Sequence, residues 1–146
     1  MPGTGGSQRH DAEDDGRGHR LTRRNRFYRT LPFPFMHIDF ESSGWMEIPR
    51  MNGGEGSVFA KMAVTEDTRI VLTRISPGSS IGLHRQTSGD DVNYVLEGTG
   101  KAVCDGKEET LAPGVCHVCP KGSEHTIIND GEDDLVLFTT VPIPKA

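Results

Sequence analysis

Between residues 57 and 141 the chain reverses direction too often for helices to form. Short β-prone runs lie at 57–64, 68–75, 80–85, 92–97, 100–104, 107–111, 115–119, 124–128 and 135–141. Turn signals separate them: Ser76-Pro77-Gly78, Gly89-Asp90, Gly98-Thr99-Gly100, Asp105-Gly106, Pro113-Gly114, Lys121-Gly122 and Asn129-Asp130-Gly131. Proline presets φ for a turn, and glycine admits the positive φ that side chains resist. A repeat of strand and turn every ~8–12 residues is the pattern of a β-sandwich or closed barrel. Asp105-Gly106 between two short runs predicts a tight hairpin with a primed turn. No core window of helical length carries a 3.6-residue apolar period, and there is no internal repeat of solenoid length.

The first 35 residues have a different chemistry. They hold seven arginines and four acidic residues, a net +3, whereas the remainder carries −8. The formal charge of −5 for all 146 residues therefore hides two unlike parts. The leading segment has almost no apolar periodicity and too little apolar surface to offset its ordering entropy, so it reads as a disordered basic extension. An alternative is that translation starts at Met36, where ordered-looking sequence begins. No uninterrupted apolar stretch resembles a secretory signal, and Asp11, Glu13, Asp14 and Asp15 are out of place in a transit peptide. No run approaches the ~20 apolar residues of a membrane span. The acidic balance disfavours phosphate-backbone binding, which leaves nucleic acid as a remote partner for the arginine-rich stretch. Three cysteines without a leader sequence point to a reducing cytoplasm, not to a disulfide framework. Two domains are expected: residues 1–35 as the extension and 36–146 as the folded barrel.

Chemistry-bearing residues cluster in two segments of that barrel. In the first, His84 and Gln86 are two residues apart, so a strand would present both on one face. Asp91 follows a short turn and would open the next strand beside them. In the second, Pro120-Lys121-Gly122 would end one strand and deliver His125 from another. Imidazole, carboxamide and carboxylate converging from three strands could hold a divalent cation. The alternative is a hydrogen-bonded polar cluster without metal.

The two segments resemble the paired signature of the cupin superfamily. The first family motif, G-x5-H-x-H-x3,4-E-x6-G, is met by Gly78, His84, Asp91 and Gly98, with Gln86 at the second histidine. Asp90 competes for the acidic position, but only Asp91 leaves six residues before Gly98. The second motif, G-x5-P-x-G-x2-H-x3-N, is met at every fixed position by Gly114, Pro120, Gly122, His125 and Asn129. The resemblance spans residues 50–142. It implies an all-β double-stranded β-helix, or jelly-roll barrel, that pairs as a homodimer. It also implies a metal held by His84, Gln86, Asp91 and His125. Two substitutions weaken that cage: a neutral carboxamide for an imidazole, and an aspartate one methylene shorter than glutamate. Such a set suits Mn²⁺, Fe²⁺, Ni²⁺ or Zn²⁺.

Other residues are less committal. Cys116 and Cys119 are three apart and would face opposite sides of a strand, so they cannot chelate one ion and read as small buried hydrophobes. His117 shares a face with Cys119 and could line the pocket. Tyr94 should face away from Asp91, Arg85 away from His84, and Glu97 into solvent; Arg74 is undecided. Trp45 and Met46 belong to an upstream arm that should pack on the barrel or on a partner subunit. The apolar run 135–138 reads as a strand buried on both faces, at a dimer contact. Two functions are expected. One is a metal-dependent enzyme of dioxygenase, decarboxylase or isomerase type acting on a small carbonyl, enol or carboxylate compound. The other is a non-catalytic ligand-binding or sensing module. No dedicated acid or base is identifiable, with His117 only a guess, and the resemblance does not choose between the two functions because cupins host many chemistries.

Overall fold

The computed structural model describes residues 36–145; the expectations for residues 1–35 lie outside the described residues. Ten strands are present in this stretch. They are β1 (Met46–Pro49), β2 (Ser57–Val64), β3 (Thr68–Ile75), β4 (Ser80–Arg85), β5 (Asp91–Glu97), β6 (Gly100–Cys104), β7 (Lys107–Leu111), β8 (Cys116–Cys119), β9 (Glu124–Ile128) and β10 (Leu135–Pro142). Nine coincide with the expected runs to within a residue. Neither β1 nor the 3-10 turn Met51–Gly53 was expected, because four residues ending in proline carry too little periodicity to be read.

The strands form two antiparallel sheets, ordered β1-β2-β3-β10-β5-β8 and β4-β9-β6-β7. The hairpin at Asp105-Gly106 has positive φ at both residues, 48° and 79°, as a type I′ turn requires. The free edge strand β7 reads Lys-Glu-Glu-Thr before its one buried residue, Leu111. Charged edges of this kind discourage pairing with another chain.

The core sits at one end of the space between the sheets. Val58, Ile75 and Leu135 lie side by side in register on β2, β3 and β10, and all are fully buried. Ile81, Val95, Ala102, Leu111, Ile127 and Leu137 complete the cluster. Fully burying each large aliphatic side chain contributes roughly 1.5–3 kcal/mol. Further along the same inward faces the residues turn polar: Thr73 on β3, Thr139 on β10, and Asn93 and Asp91 on β5, all buried. This buried polar belt lies between the core and the apolar residues Val71 and Val141 farther along the same faces, and it marks a candidate site.

On the outer face of the larger sheet β10 is partly open in the single chain: Leu135, Leu137 and Thr139 point inward, whereas Phe138 is 37% exposed beside Tyr94, on the side where the expected dimer contact would lie. Its near-continuous apolar sequence reflects a central strand whose outer face stays partly open. Arg74, undecided from sequence, lies on this outer face between the rings of Trp45 and Phe59, 4.7 and 4.8 Å from their centroids. Trp45 thus packs on the barrel of its own chain. Glu97 is exposed, and Arg85 points outward to pair with Glu124, both as expected.

Asn129 shows why the second motif ends in asparagine. It is fully buried, and its Nδ2 donates to the carbonyls of Ile75 (2.7 Å) and Asp133 (2.8 Å). Its Oδ1 accepts from the Gly131 amide at 3.0 Å. One side chain thereby ties the end of β9 to the end of β3 and shapes the loop that launches β10.

Candidate metal centre

The four residues expected to gather do so. His84 and His125 face each other in register across β4 and β9, with ring centroids 4.6 Å apart. The Pro120–Gly122 turn brings β9 to this point: the Gln86 amide donates to Ser123 O (2.9 Å), and the Gly122 amide donates to Gln86 O (2.7 Å). Gln86 and Asp91 are buried at the same centre, and Gln86 Nε2 donates to Asp91 Oδ2 at 2.7 Å. His84 Nε2 and His125 Nε2 are 3.1 Å apart, and His125 Nε2 lies 3.2 Å from Asp91 Oδ2. One ligand atom from each of His84, Asp91 and His125 falls within 4.8 Å of the others, which makes these three a candidate metal site. Asp90 is exposed and accepts from the Lys121 amide (2.9 Å) instead.

The surroundings decide which atoms face the centre. His84 Nδ1 lies 2.7 Å from Gly82 O, and a carbonyl only accepts, so Nδ1 carries the proton and Nε2 presents a lone pair. His125 is governed at one remove. Glu109 Oε2 lies 2.6 Å from His117 Nδ1, and His117 Nε2 lies 2.8 Å from His125 Nδ1. With neutral rings, the Glu109 carboxylate takes the Nδ1–H of His117. His117 Nε2 then takes the Nδ1–H of His125, and the Nε2 lone pair of His125 also points inward. Asp91 is steadied from its other oxygen by Asn93 Nδ2 at 2.9 Å, and Asn93 in turn accepts from Thr139 Oγ1 at 2.7 Å.

This donor set fits a cation. Two acceptor nitrogens and a carboxylate oxygen crowd one point, and one carboxamide NH₂ cannot donate to all three. Turning the Gln86 carboxamide by half a turn would exchange its NH₂ for an oxygen lone pair at the same place. Imidazole nitrogens with oxygen donors suit the first-row divalent ions named above.

His117, expected on the pocket wall and as a guess for an acid or base, instead stands behind His125; Glu109, Asn93 and Thr139 carry no sequence motif. Strand parity places His117 on the inner face. Its partnership with Glu109 had no sequence signal, since the two lie on different strands of different sheets.

The thiols behave unequally. Cys119 is fully buried, but Cys116 is exposed, which corrects the reading of both as buried hydrophobes. Cys119 Sγ lies 3.9 Å from Cys104 Sγ. Burial, with the Cys104 contact and the nearby Asp91 charge, pushes the Cys119 thiol up to about 12. Thiolate is the reactive form. At neutral pH a thiol-selective alkylating agent should therefore label Cys116 and leave Cys119 unmodified in the native protein. Peptide mass mapping checks this; equal labelling rates at the two positions would contradict it.

Beside the cluster lies a cavity of about 420 Å³, within the size range of small-molecule pockets. Its walls are mainly apolar, including Ile48, Met51, Val71, Ile81, Ile127 and Val141. Asp91 is the sole carboxylate among the described lining residues, and His84 and His125 are the sole imidazoles.

Comparison with known proteins agrees with this architecture. A family model described as Cupin domain matches residues 71–141. The chain is 30% identical over 100 residues to the oxalate-binding protein of Thermotoga maritima, covering 64% of this chain and 83% of that protein. The chain belongs to the cupin superfamily. The crystal structure of a predicted oxalate decarboxylase from Thermotoga maritima superposes with a TM-score of 0.70 at 24% identity, covering 74% of this chain and 99% of that one. KdgF from a Halomonas species gives 0.64 at 20% identity, over 76% and 96% of the two chains.

Proposed function

We propose that this protein holds one divalent cation through His84, Gln86, Asp91 and His125 and uses it to bind a small carboxylic acid in the adjoining cavity. The observation that carries the reading is the convergence of two imidazole lone pairs and a carboxylate at one end of a mostly apolar cavity. A bound metal would supply a Lewis-acidic centre for a carboxylate oxygen. The chain's own residues supply the rest. Glu109 and His117 hold His125 in its tautomer, Gly82 O does so for His84, and the apolar walls exclude water from the ligand's body. The oxalate-binding relative supports a carboxylate over the carbonyl and enol alternatives.

Turnover of that acid, by decarboxylation, dioxygenation or isomerisation, is the second reading. The cavity's described lining offers no acid or base beyond the candidate ligands, which favours binding over proton-transfer chemistry. The expected homodimer contact would fall on the outer face of the larger sheet, where Tyr94, Leu96, Val118 and Phe138 are exposed.

Elemental analysis and calorimetry test the proposal together. Protein purified without added metal, then offered Mn²⁺, Fe²⁺, Ni²⁺ or Zn²⁺, should retain about one equivalent per chain. Oxalate should bind the loaded protein and not the chelator-stripped one. A protein that takes up none of the four ions, or binds oxalate equally well without metal, would refute it. Oxygen uptake and carbon dioxide release in the same samples separate binding from turnover.

A further inference from the structure

Arg69 lines the cavity and lies outside the candidate metal cluster. It sits on β3, on the inward face shared with Val71 and Thr73. In register it opposes Val141 on β10. Thr140 opposes Val92 on β5, so the row that holds Arg69 and Val141 continues to Asp91. Arg69 and Asp91 thus stand two strands apart on one wall, roughly 10 Å between backbones at the usual strand spacing. They form no ion pair. The Arg69 side chain makes no hydrogen bond or ion pair with any described residue, although it is half-buried and Asp67, two residues away, pairs with Lys145 at 2.6 Å. Val71, Val141 and Met62 line the same cavity.

A guanidinium in this position has lost part of its hydration and recovered nothing from the protein. An anionic group on a ligand would restore it, and the planar fork matches a carboxylate bidentately. The metal cluster claims one acid group of a ligand, and Arg69, rooted two strands away on the same wall, is placed to meet a second. Oxalate, two carboxylates joined by a single bond, carries no apolar stretch to lie against Val71 and Val141.

We propose that the cavity is built for an elongated diacid, with one carboxylate at the metal cluster, an apolar spacer along Val71 and Val141, and the second carboxylate on Arg69. This rests on the carboxylate-binding reading above and names its ligand class. Arg69 would be the residue that separates diacids from monoacids.

The test is calorimetric titration of the Mn²⁺-loaded full-length protein with glutarate, adipate and pimelate, each against the monoacid of equal carbon number. At least one diacid should bind tenfold or more tighter than its monoacid, the scale of a charge-assisted hydrogen bond. Arg69→Ala should collapse that ratio to near one, and Arg69→Lys should restore it in part, because it returns the charge without the fork. A diacid-to-monoacid ratio near one in the wild-type protein, or unchanged by Arg69→Ala, would overturn the proposal. Oxalate titrated into the wild-type protein separates the two readings. Metal-dependent oxalate binding without diacid preference removes only Arg69's role. Diacid preference lost in Arg69→Ala, with oxalate binding indifferent to metal, supports Arg69 and removes the metal reading.

Discussion

His125→Ala is expected to lower divalent-metal affinity by at least about 100-fold, the largest functional loss available from a single side chain in this protein. The alanine removes one of two imidazole lone pairs from the centre. It also strips the buried His117 Nε2 of its 2.8 Å partner. His84→Ala removes the other lone pair at a half-exposed position and should cause a comparable loss with less damage to packing. His117→Ala supplies the graded case. It leaves every candidate ligand in place and frees only the tautomer of His125, so a loss of about 10- to 100-fold is expected. Titration of free Mn²⁺ by electron paramagnetic resonance reads all three variants. Full metal stoichiometry in His125→Ala at wild-type affinity would remove His125 from the centre. A wild-type affinity in His117→Ala would show that the Glu109–His117 chain does not orient it.

Gly98→Ala should be among the most destabilising single substitutions in the barrel. Gly98 closes the first motif with φ of 78°, where a side chain costs about 1–2 kcal/mol. An added Cβ would also stand 2.2 Å from the carbonyl oxygen of Asp134, a backbone atom at the entry to β10 that has nowhere to yield. The combined loss should exceed about 3 kcal/mol and lower the melting temperature by more than ~10 °C. Gly106→Ala isolates the backbone part. Its φ of 79° is nearly the same, but nothing lies within 4 Å of the new Cβ. That variant should lose only about 1 kcal/mol. Thermal melts that place the two variants within a few degrees of each other would contradict the close approach at Asp134.

Sequence legibility followed interaction range. Turn residues act locally: Asp105-Gly106 demands positive φ wherever it occurs, and the hairpin formed there. Alternation is local too. It placed His84 with Gln86, His117 with Cys119, and Tyr94 opposite Asp91 before any tertiary contact was known. β1 escaped because an edge strand of four residues is held by pairing with β2, not by its own pattern. The run 135–138 buries Leu135 and Leu137 inward and leaves Phe138 open in the single chain, because an apolar run states what a strand tolerates and not what covers it.

The sequence by itself determined an all-β fold, nine of its ten described strands and, through the resemblance to cupins, the barrel and the four residues that converge. The strands follow from short-range turn chemistry and parity, and the four residues from motif spacing. Only the tertiary structure decided what stands behind and beside those four. Glu109 reaches His125 through His117 from another sheet, Asn93 and Thr139 steady Asp91, and Arg69 faces the cavity unpaired two strands from the cluster. These relations join residues far apart in the chain, and they exist only once the sheets have stacked. Orientation of a ligand atom and neutralisation of a charge depend on distance in space, which no spacing along the chain encodes.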